Sequence, residues 1–458
     1  MTQPTLRTES LLRLSWPIYL QNVTHSVVVL VDMWFFARLS DEIAGTIGSL
    51  IPIIWMGAFV IPVFAGTGVS VAAQYMGAKQ FEKVIPTYMM NLCCTGAMGV
   101  GFAVLLWFFA PAIGGWMGLA PALRPIATSY LGGMSVYFVF MGVLVAYNAV
   151  LSSRGMTHWL MYNSFVVAGL NLLLASLFVL GFGWGLRGVV TASCISVAAA
   201  LGLSLYWVHG RLGIHFRLRG AVRDMLGVMR PMLRIGIANA LEPFSYTVQQ
   251  IILSTMIISL GVAAMAANNY AARAQMFQIT FSVTLALGSQ ILMGHWMGAR
   301  RFDDVNRLYW QVARWTTAVA LLYALAIWLL ADQVLGIYTH NETIKALGRP
   351  LLLIAVFYEP ARAINIVGGF ALKTVGDARF PLVIGMAFIW GILPVIFAIN
   401  HYYPITLAGL WLCFAADEIV RAGINLWRWH TGRWRSMGIT TADPAASAAA
   451  VEVQSSEV

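Results

Sequence analysis

Along most of this chain the apolar positions form long unbroken runs, interrupted only by short clusters of glycine, proline and charge. No Asp, Glu, Lys or Arg occurs between Glu42 and Lys79, between Lys83 and Arg124, or between Arg379 and Asp417. Each run is longer than the roughly 20 apolar residues that cross a bilayer as a helix. Cutting at the clusters predicts twelve helices. They begin near Leu11, Ile43, Val84, Leu123, His158, Leu186, Met232, Val262, Val305, Ile344, Phe380 and Pro404. Dividing 458 residues by twelve leaves about 38 for each helix and loop, so no soluble domain fits between them. Composition agrees: 60% of residues are hydrophobic and 10% charged, against about 25% charged in soluble domains. A soluble enzyme, a nucleic-acid binder and a disordered chain are excluded.

Charge then sets the topology expected in the membrane. With the N-terminus in the cytoplasm, the opposite face holds Arg38, Arg124, Arg187, Lys345 and Arg349, and Arg273, Arg362 and Arg421 fall inside spans. The other 20 of the 28 Lys and Arg lie on cytoplasmic stretches. Such a bias places both termini inside, in the cell inner (plasma) membrane. The start does not read as a cleavable signal, because Leu11 to Phe36 is too long and contains Pro17, Gln21, His25 and Asp32. Cys93, Cys94, Cys194 and Cys413 lack metal-ligand spacing and read as buried thiols.

Sliding the sequence along itself by 221 residues exposes a duplication. Met76-Gly77-Ala78-Lys79 meets Met297-Gly298-Ala299-Arg300. Likewise Tyr137 meets Tyr358, Leu151 meets Leu372, Gly188 meets Gly409 and His209 meets His430. Six helices per half is an even number, so the halves are related by an axis along the membrane normal. The expected fold is an all-α membrane protein of twelve transmembrane helices in two duplicated six-helix lobes around a central cleft. Its parts would be a cytoplasmic N-terminus (1–10), an N-lobe (11–209), a basic linker (210–231), a C-lobe (232–435) and a disordered tail (436–458).

Ionisable groups within spans are costly, by about 2.5–3.5 kcal/mol at a helix centre on insertion scales, so each needs a purpose or a partner. Asp32 is the one acid inside an N-lobe helix. Gln21, His25 and Asp32 share a helical face, on a helix that Pro17 is expected to kink. Asp32 is thus either a coupling group or a protonated packing residue. The C-lobe charges have local partners. Glu359 and Arg362 are three apart, Asp417 and Arg421 four, and Glu418 and Arg421 three. Glu242 and Arg273 lack such neighbours and are expected to pair with each other or with that group. The alternatives are a buried network that locks the lobe and a proton or substrate-cation site using Glu242. Pro243 and Pro360 follow Glu242 and Glu359 directly.

The Gln74-Tyr75-Met76-Gly77-Ala78 end of the second helix and its twin Gly298-Ala299 resemble the multidrug and toxic compound extrusion (MATE) transporters of bacteria. So do Pro17 with Asp32, and Ala371-Leu372-Lys373 with Gly376-Asp377. The resemblance covers roughly residues 10–435. It implies export of organic, often cationic, compounds in exchange for inward H⁺ or Na⁺, with no cofactor and no resident metal. It also implies that Asp32 teams with Asn171 and Thr191 as the cation-coupling set; a further ligand position falls on Ala175, which favours a proton over sodium. In the family's norfloxacin-exporting branch, C-lobe acids on helices seven and ten help bind sodium. Tyr246 and Arg362 stand at those positions here, and Tyr358 matches the branch's tyrosine. The expected partners are a small organic substrate and membrane lipids, without nucleic acid, the chain being a monomer. A flippase of lipid-linked precursors with the same two lobes is the alternative. An enzyme is not expected, since no zinc, nucleophile-elbow or phosphate-loop motif occurs.

Single cysteines at Arg217 or Arg300 should react with an impermeant thiol reagent from the cytoplasmic side only, and one at Asn341 from outside only. Reversed labelling would sink this topology.

Overall fold

The computed structural model describes residues 11–216 and 221–439. The expectations placed on 1–10, on 217–220 (with Arg217 and Arg219) and on 440–458 lie outside the described residues. Helices α1 (Leu11–Leu39), α2 (Asp41–Gly77), α3 (Val84–Trp116), α4 (Arg124–Ser153), α5 (Thr157–Ser176) and α6 (Gly185–Leu205) build one lobe. The other contains α7 (Ala221–Ser259), α8 (Val262–Ala274), α9 (Met276–Gly298), α10 (Phe302–Leu329), α11 (Ala331–Tyr338), α12 (Glu342–Thr374), α13 (Arg379–Tyr402) and α14 (Leu407–His430).

Among the described residues ten helices are long and apolar enough to cross a membrane. The more highly charged α7 and α14 complete twelve spans, because α8 and α9 are two pieces of one span that breaks at Gln275 and α11 is a short helix of eight residues beside α12. Helix starts fall within three residues of the expected ones, with one exception. α7 begins at Ala221, so helix occupies residues 221–231, half of the stretch expected to be linker. Residues 436–439, expected to belong to the tail, are structured, since a 3₁₀ turn at Arg433–Ser436 leads into bonded residues up to Ile439.

The duplication holds in three dimensions. A shift of 221 carries 262–298 (α8 with α9) onto 41–77 (α2) and 342–374 (α12) onto 121–153 (the span of α4). At one end of the molecule α2 and α9 cross with no room for a side chain between them. A Cβ on Gly77 would stand 1.9 Å from the His295 carbonyl oxygen, and one on Gly298 would stand 1.9 Å from the Gln74 carbonyl oxygen. His295 is itself 221 residues from Gln74, so each half contributes the same glycine and receives the same carbonyl.

The same end exchanges helix ends. Leu11 and Leu14 of α1 pack into the C-lobe core with Leu285, Met293 and Trp429. Met232 and Ile235 of α7, their counterparts, pack into the N-lobe core with Val71, Tyr75 and Trp207. Both helices stop just past the crossing in the same cap. Gln80 N–H reaches back to the Tyr75 carbonyl and Arg301 N–H to that of Trp296, with Lys79 and Arg300 in the left-handed region at φ 60° and 59°.

Hydrogen bonds between the lobes gather toward this closed end. Asn239 donates to Thr67 Oγ1 at 3.0 Å, and Gln290 donates to the Gly66 carbonyl at 2.9 Å and to the Ser70 hydroxyl. The farthest from the crossing is Asn22 to Thr284, 3.3 Å. At 1.5 Å per residue, Thr284 lies about 20 Å up α9 from Gly298, which leaves the cleft to open at the other end.

Gly77→Ala and Gly298→Ala should each lower the thermal midpoint in detergent, by an amount equivalent to about 1–3 kcal/mol. Their effects should combine sub-additively, because one separation of the helices relieves both clashes. Gly101→Ala, with open space around it, should stay within about 0.5 kcal/mol of the parent. Strict additivity would mean the two glycines do not share one joint.

Candidate functional sites in the two lobes

α1 packs along α5 and touches α6, which sets Asp32 against both. Asp32 lies about 30 Å along α1 from Leu11, in the half where the cleft opens. Its Oδ2 accepts from the Ser193 hydroxyl at 3.4 Å, and that hydroxyl also points to the Val189 carbonyl at 3.1 Å. Asn171 donates to Ser193 Oγ at 2.9 Å. Asp32 Oδ1 and Asn171 Oδ1 are buried and make no hydrogen bond. The Asn171 amide and one hydroxyl proton shared between two acceptors are a thin supply for a carboxylate, so the site has acceptors to spare and would gain by taking a proton. Tyr130 and Tyr137 stand close enough to feel the Asp32 charge.

The structure therefore joins Asp32 to Asn171 as expected but replaces Thr191. That residue is half-buried and outside the bonded set, and Ser193, two positions on, takes its place. Two residues are about 200° around a helix, so the two side chains face opposite ways. Of the polar stripe on α1, Gln21 is half-buried and His25 exposed, and α1 runs as one helix through Pro17.

The C-lobe charges form one connected network. Arg362 donates from Nη1 to Glu359 Oε1 at 2.9 Å, and it lies 3.6 Å from Glu418 Oε1 through Nε. It also donates to the Tyr358 hydroxyl at 3.3 Å, with its guanidinium 4.7 Å from the centre of that ring. Arg421 bridges Asp417 at 2.8 Å and Glu418 at 3.0 Å. Asn365 donates to Glu418 Oε2 at 2.6 Å and accepts from Asn425 at 3.0 Å.

Glu242 departs from expectation. Its partner is Lys373, at 2.5 Å, on the last turn of α12. Lys373 counted as a cytoplasmic cation in the sequence, and the pair sits near the closed end rather than mid-span. Arg273 is exposed beside the α8–α9 break and forms no ion pair among the described residues, so the Glu242–Arg273 pairing does not occur. Apart from that pair, Glu359, Asp417 and Glu418 face Arg362 and Arg421. Three acids against two bases leave the network formally one negative charge in excess. Glu359 Oε2 and Asp417 Oδ1 are both buried without hydrogen bonds. Asn365 and Asn425 escaped the sequence reading, although Glu418, Arg421 and Asn425 repeat at three and four residues, the spacing of one helix face. Among the described residues no cluster of three or more His, Cys, Asp or Glu is arranged to hold a metal.

Two pseudo-symmetric helical lobes, closed at one end and carrying acids within the membrane, define a secondary-transporter architecture. A family model described as MatE matches residues 17–177 and 238–399. The chain belongs to this family of multidrug efflux transporters and is not an enzyme. It is 27% identical over 451 residues to the uncharacterized transporter YisQ of Bacillus subtilis, covering 96% of this chain and 98% of that one. It is 26% identical over 415 residues to the probable multidrug resistance protein NorM of Bacillus licheniformis, covering 86% and 89%. The fold matches a crystal structure of MATE in the bent conformation with a TM-score of 0.81 at 20% identity, over 94% of this chain and 96% of the other.

Removing one member of the Glu242–Lys373 pair leaves its partner charged and partly buried. Glu242→Gln or Lys373→Gln alone should lower the thermal midpoint, by the equivalent of about 1–3 kcal/mol, and the double variant should recover much of the loss. Arg273→Gln should give no recovery. Rescue of Glu242→Gln by Arg273→Gln would contradict the pairing.

Proposed function

We propose that this protein is a secondary antiporter that exports organic, often cationic, compounds in exchange for inward protons, by alternating access of the central cleft. We place it in the cell inner membrane, as a monomer with both chain ends cytoplasmic, on the strength of the basic asymmetry. The observation that carries the reading is the under-bonded Asp32 at the seam of α1, α5 and α6. A carboxylate so placed takes a proton from the open side because the neutral acid needs less solvation than the anion. The new proton supplies the donor that Asn171 Oδ1 lacks, which draws α1 toward α5. Movement of α1 narrows the N-lobe wall and expels the substrate as the proton enters. Sodium suits this site less, since it needs a fuller set of oxygen ligands and Ala175 supplies none. The excess negative charge of the C-lobe network favours cationic substrates on the opposite wall.

Asp32→Asn mimics the protonated acid. In vesicles with an imposed pH gradient, efflux of a fluorescent organic cation should fall at least about tenfold, about 1.4 kcal/mol in the rate-limiting barrier. Affinity for the same cation should stay within about threefold. An imposed sodium gradient without a pH gradient should drive no export. Wild-type efflux by Asp32→Asn that an uncoupler still abolishes would move coupling to the C-lobe network.

A further inference from the structure

The closed end contains a second pair of equivalent contacts. Gln74 on α2 donates from Nε2 to the Thr374 carbonyl at the end of α12. His295 on α9 meets the Ser153 carbonyl at the end of α4 through Nε2, at 2.9 Å. Each position differs from its counterpart by 221 residues, so this is one contact made twice, once from each lobe to the other. The two copies differ in the side chain, an amide in one and an imidazole in the other, and in one added bond. Gln74 Oε1 also accepts from the Ile439 N–H at 3.0 Å.

Ile439 belongs to a strap that leaves α14 at His430 and crosses the mouth of the closed end. Trp434 anchors it, fully buried, stacked on Trp429 at 4.6 Å between ring centres and donating to the Trp429 carbonyl at 3.1 Å. The Met437 carbonyl then lies where a Cβ on Gly376 would sit, 2.1 Å from that position, and Gly438 passes Met297. Up to Gly438 these contacts are with the C-lobe. Ile439 then crosses to Gln74 and packs against the N-lobe core.

We propose that the segment Arg433–Ile439 is a latch on the inner gate, which must release Gln74 before the cleft opens at the closed end. The inference rests on the alternating-access reading above. Gln74 is fully buried in the lobe interface, and both ends of its amide are used there. Parting the lobes strips its two bonds at once and leaves four polar groups without these partners. The His295 copy has no strap bond to lose. The gate therefore has a fixed half and a latched half, and the latch is the element whose docking sets how often the inner side opens.

The test uses the full-length chain in lipid nanodiscs, with its four cysteines replaced and spin labels at Glu82 and Arg307, exposed positions on either lobe near the closed end. Ile439→Pro removes the N–H that holds Gln74 and leaves the anchor intact; Trp434→Ala removes the anchor. Each should raise the population with separated inner ends at least about threefold over the parent. Arg435→Ala, which loses the exposed contact to Asp303 and a cation–π contact with Trp434 at 5.5 Å but leaves that ring's stacking and hydrogen bond in place, should leave the distances unchanged. Parent-like distances in both Ile439→Pro and Trp434→Ala would overturn the latch, as would an equal shift in Arg435→Ala. The readout needs no substrate or gradient, so a failure to export the chosen cation would count against the export reading alone.

Discussion

Two glycines meeting two carbonyls hold this molecule in the state described. In lipid there is little hydrophobic gain from pressing helices together, so close backbone contact and hydrogen bonds must supply the attraction. Gly77 and Gly298 allow that contact by presenting no side chain where α2 crosses α9. Once the backbones are this close, Gln74 and His295 reach carbonyls on the facing lobe, and the first turn of α1 and the Met232–Ile235 turn of α7 each pack into the opposite lobe's core. None of these interactions survives a separation of a few ångströms. They form together and are lost together, which gives the closed end two discrete arrangements rather than a continuum.

The repeat also explains what could be read in advance. Uncharged runs are set by bilayer thickness, so span starts such as Val84, Val262 and Phe380 were legible to within a residue or so, and the 221-residue shift gave two lobes. The exchange of Leu11 and Met232 was not legible, because cutting the chain into lobes at 209 and 232 assigns each helix wholly to its own half. Nor was the α8–α9 break, since no proline or glycine marks Gln275. Asp32 stood out as a lone acid and Asn171 followed from the resemblance. Ser193 in place of Thr191 depended on a two-residue difference in facing that gap-free alignment does not resolve. The Glu242–Lys373 pair joins positions 131 residues apart, and a lysine at a helix end reads as a loop cation.

The two lobes treat buried charge in opposite ways. In the N-lobe a single acid has only the neutral Ser193 and Asn171 beside it and no basic partner among the described residues. In the C-lobe each acid shares an arginine or lysine with its neighbours, and the asparagines Asn365 and Asn425 extend the network. Adding a proton to the first site changes its charge fully and locally. Adding one to the second is shared among several ion pairs, which dilutes the mechanical effect. An acid that must move a helix is better isolated, and an acid that must attract a cation is better networked.

Lys79 and Arg300 show what the turns after α2 and α9 demand. Both residues sit in a backbone conformation that disfavours any side chain, by roughly 1–2 kcal/mol relative to the ordinary helical region. Glycine would relax each turn. It would also delete one cation from each of two short loops at the basic end, where positive charge disfavours pulling a nascent hairpin through the bilayer during insertion. At these two positions, correct threading of the chain in the membrane outweighs local ease of folding, so a variant that is more stable when purified would be the one more prone to insert backwards.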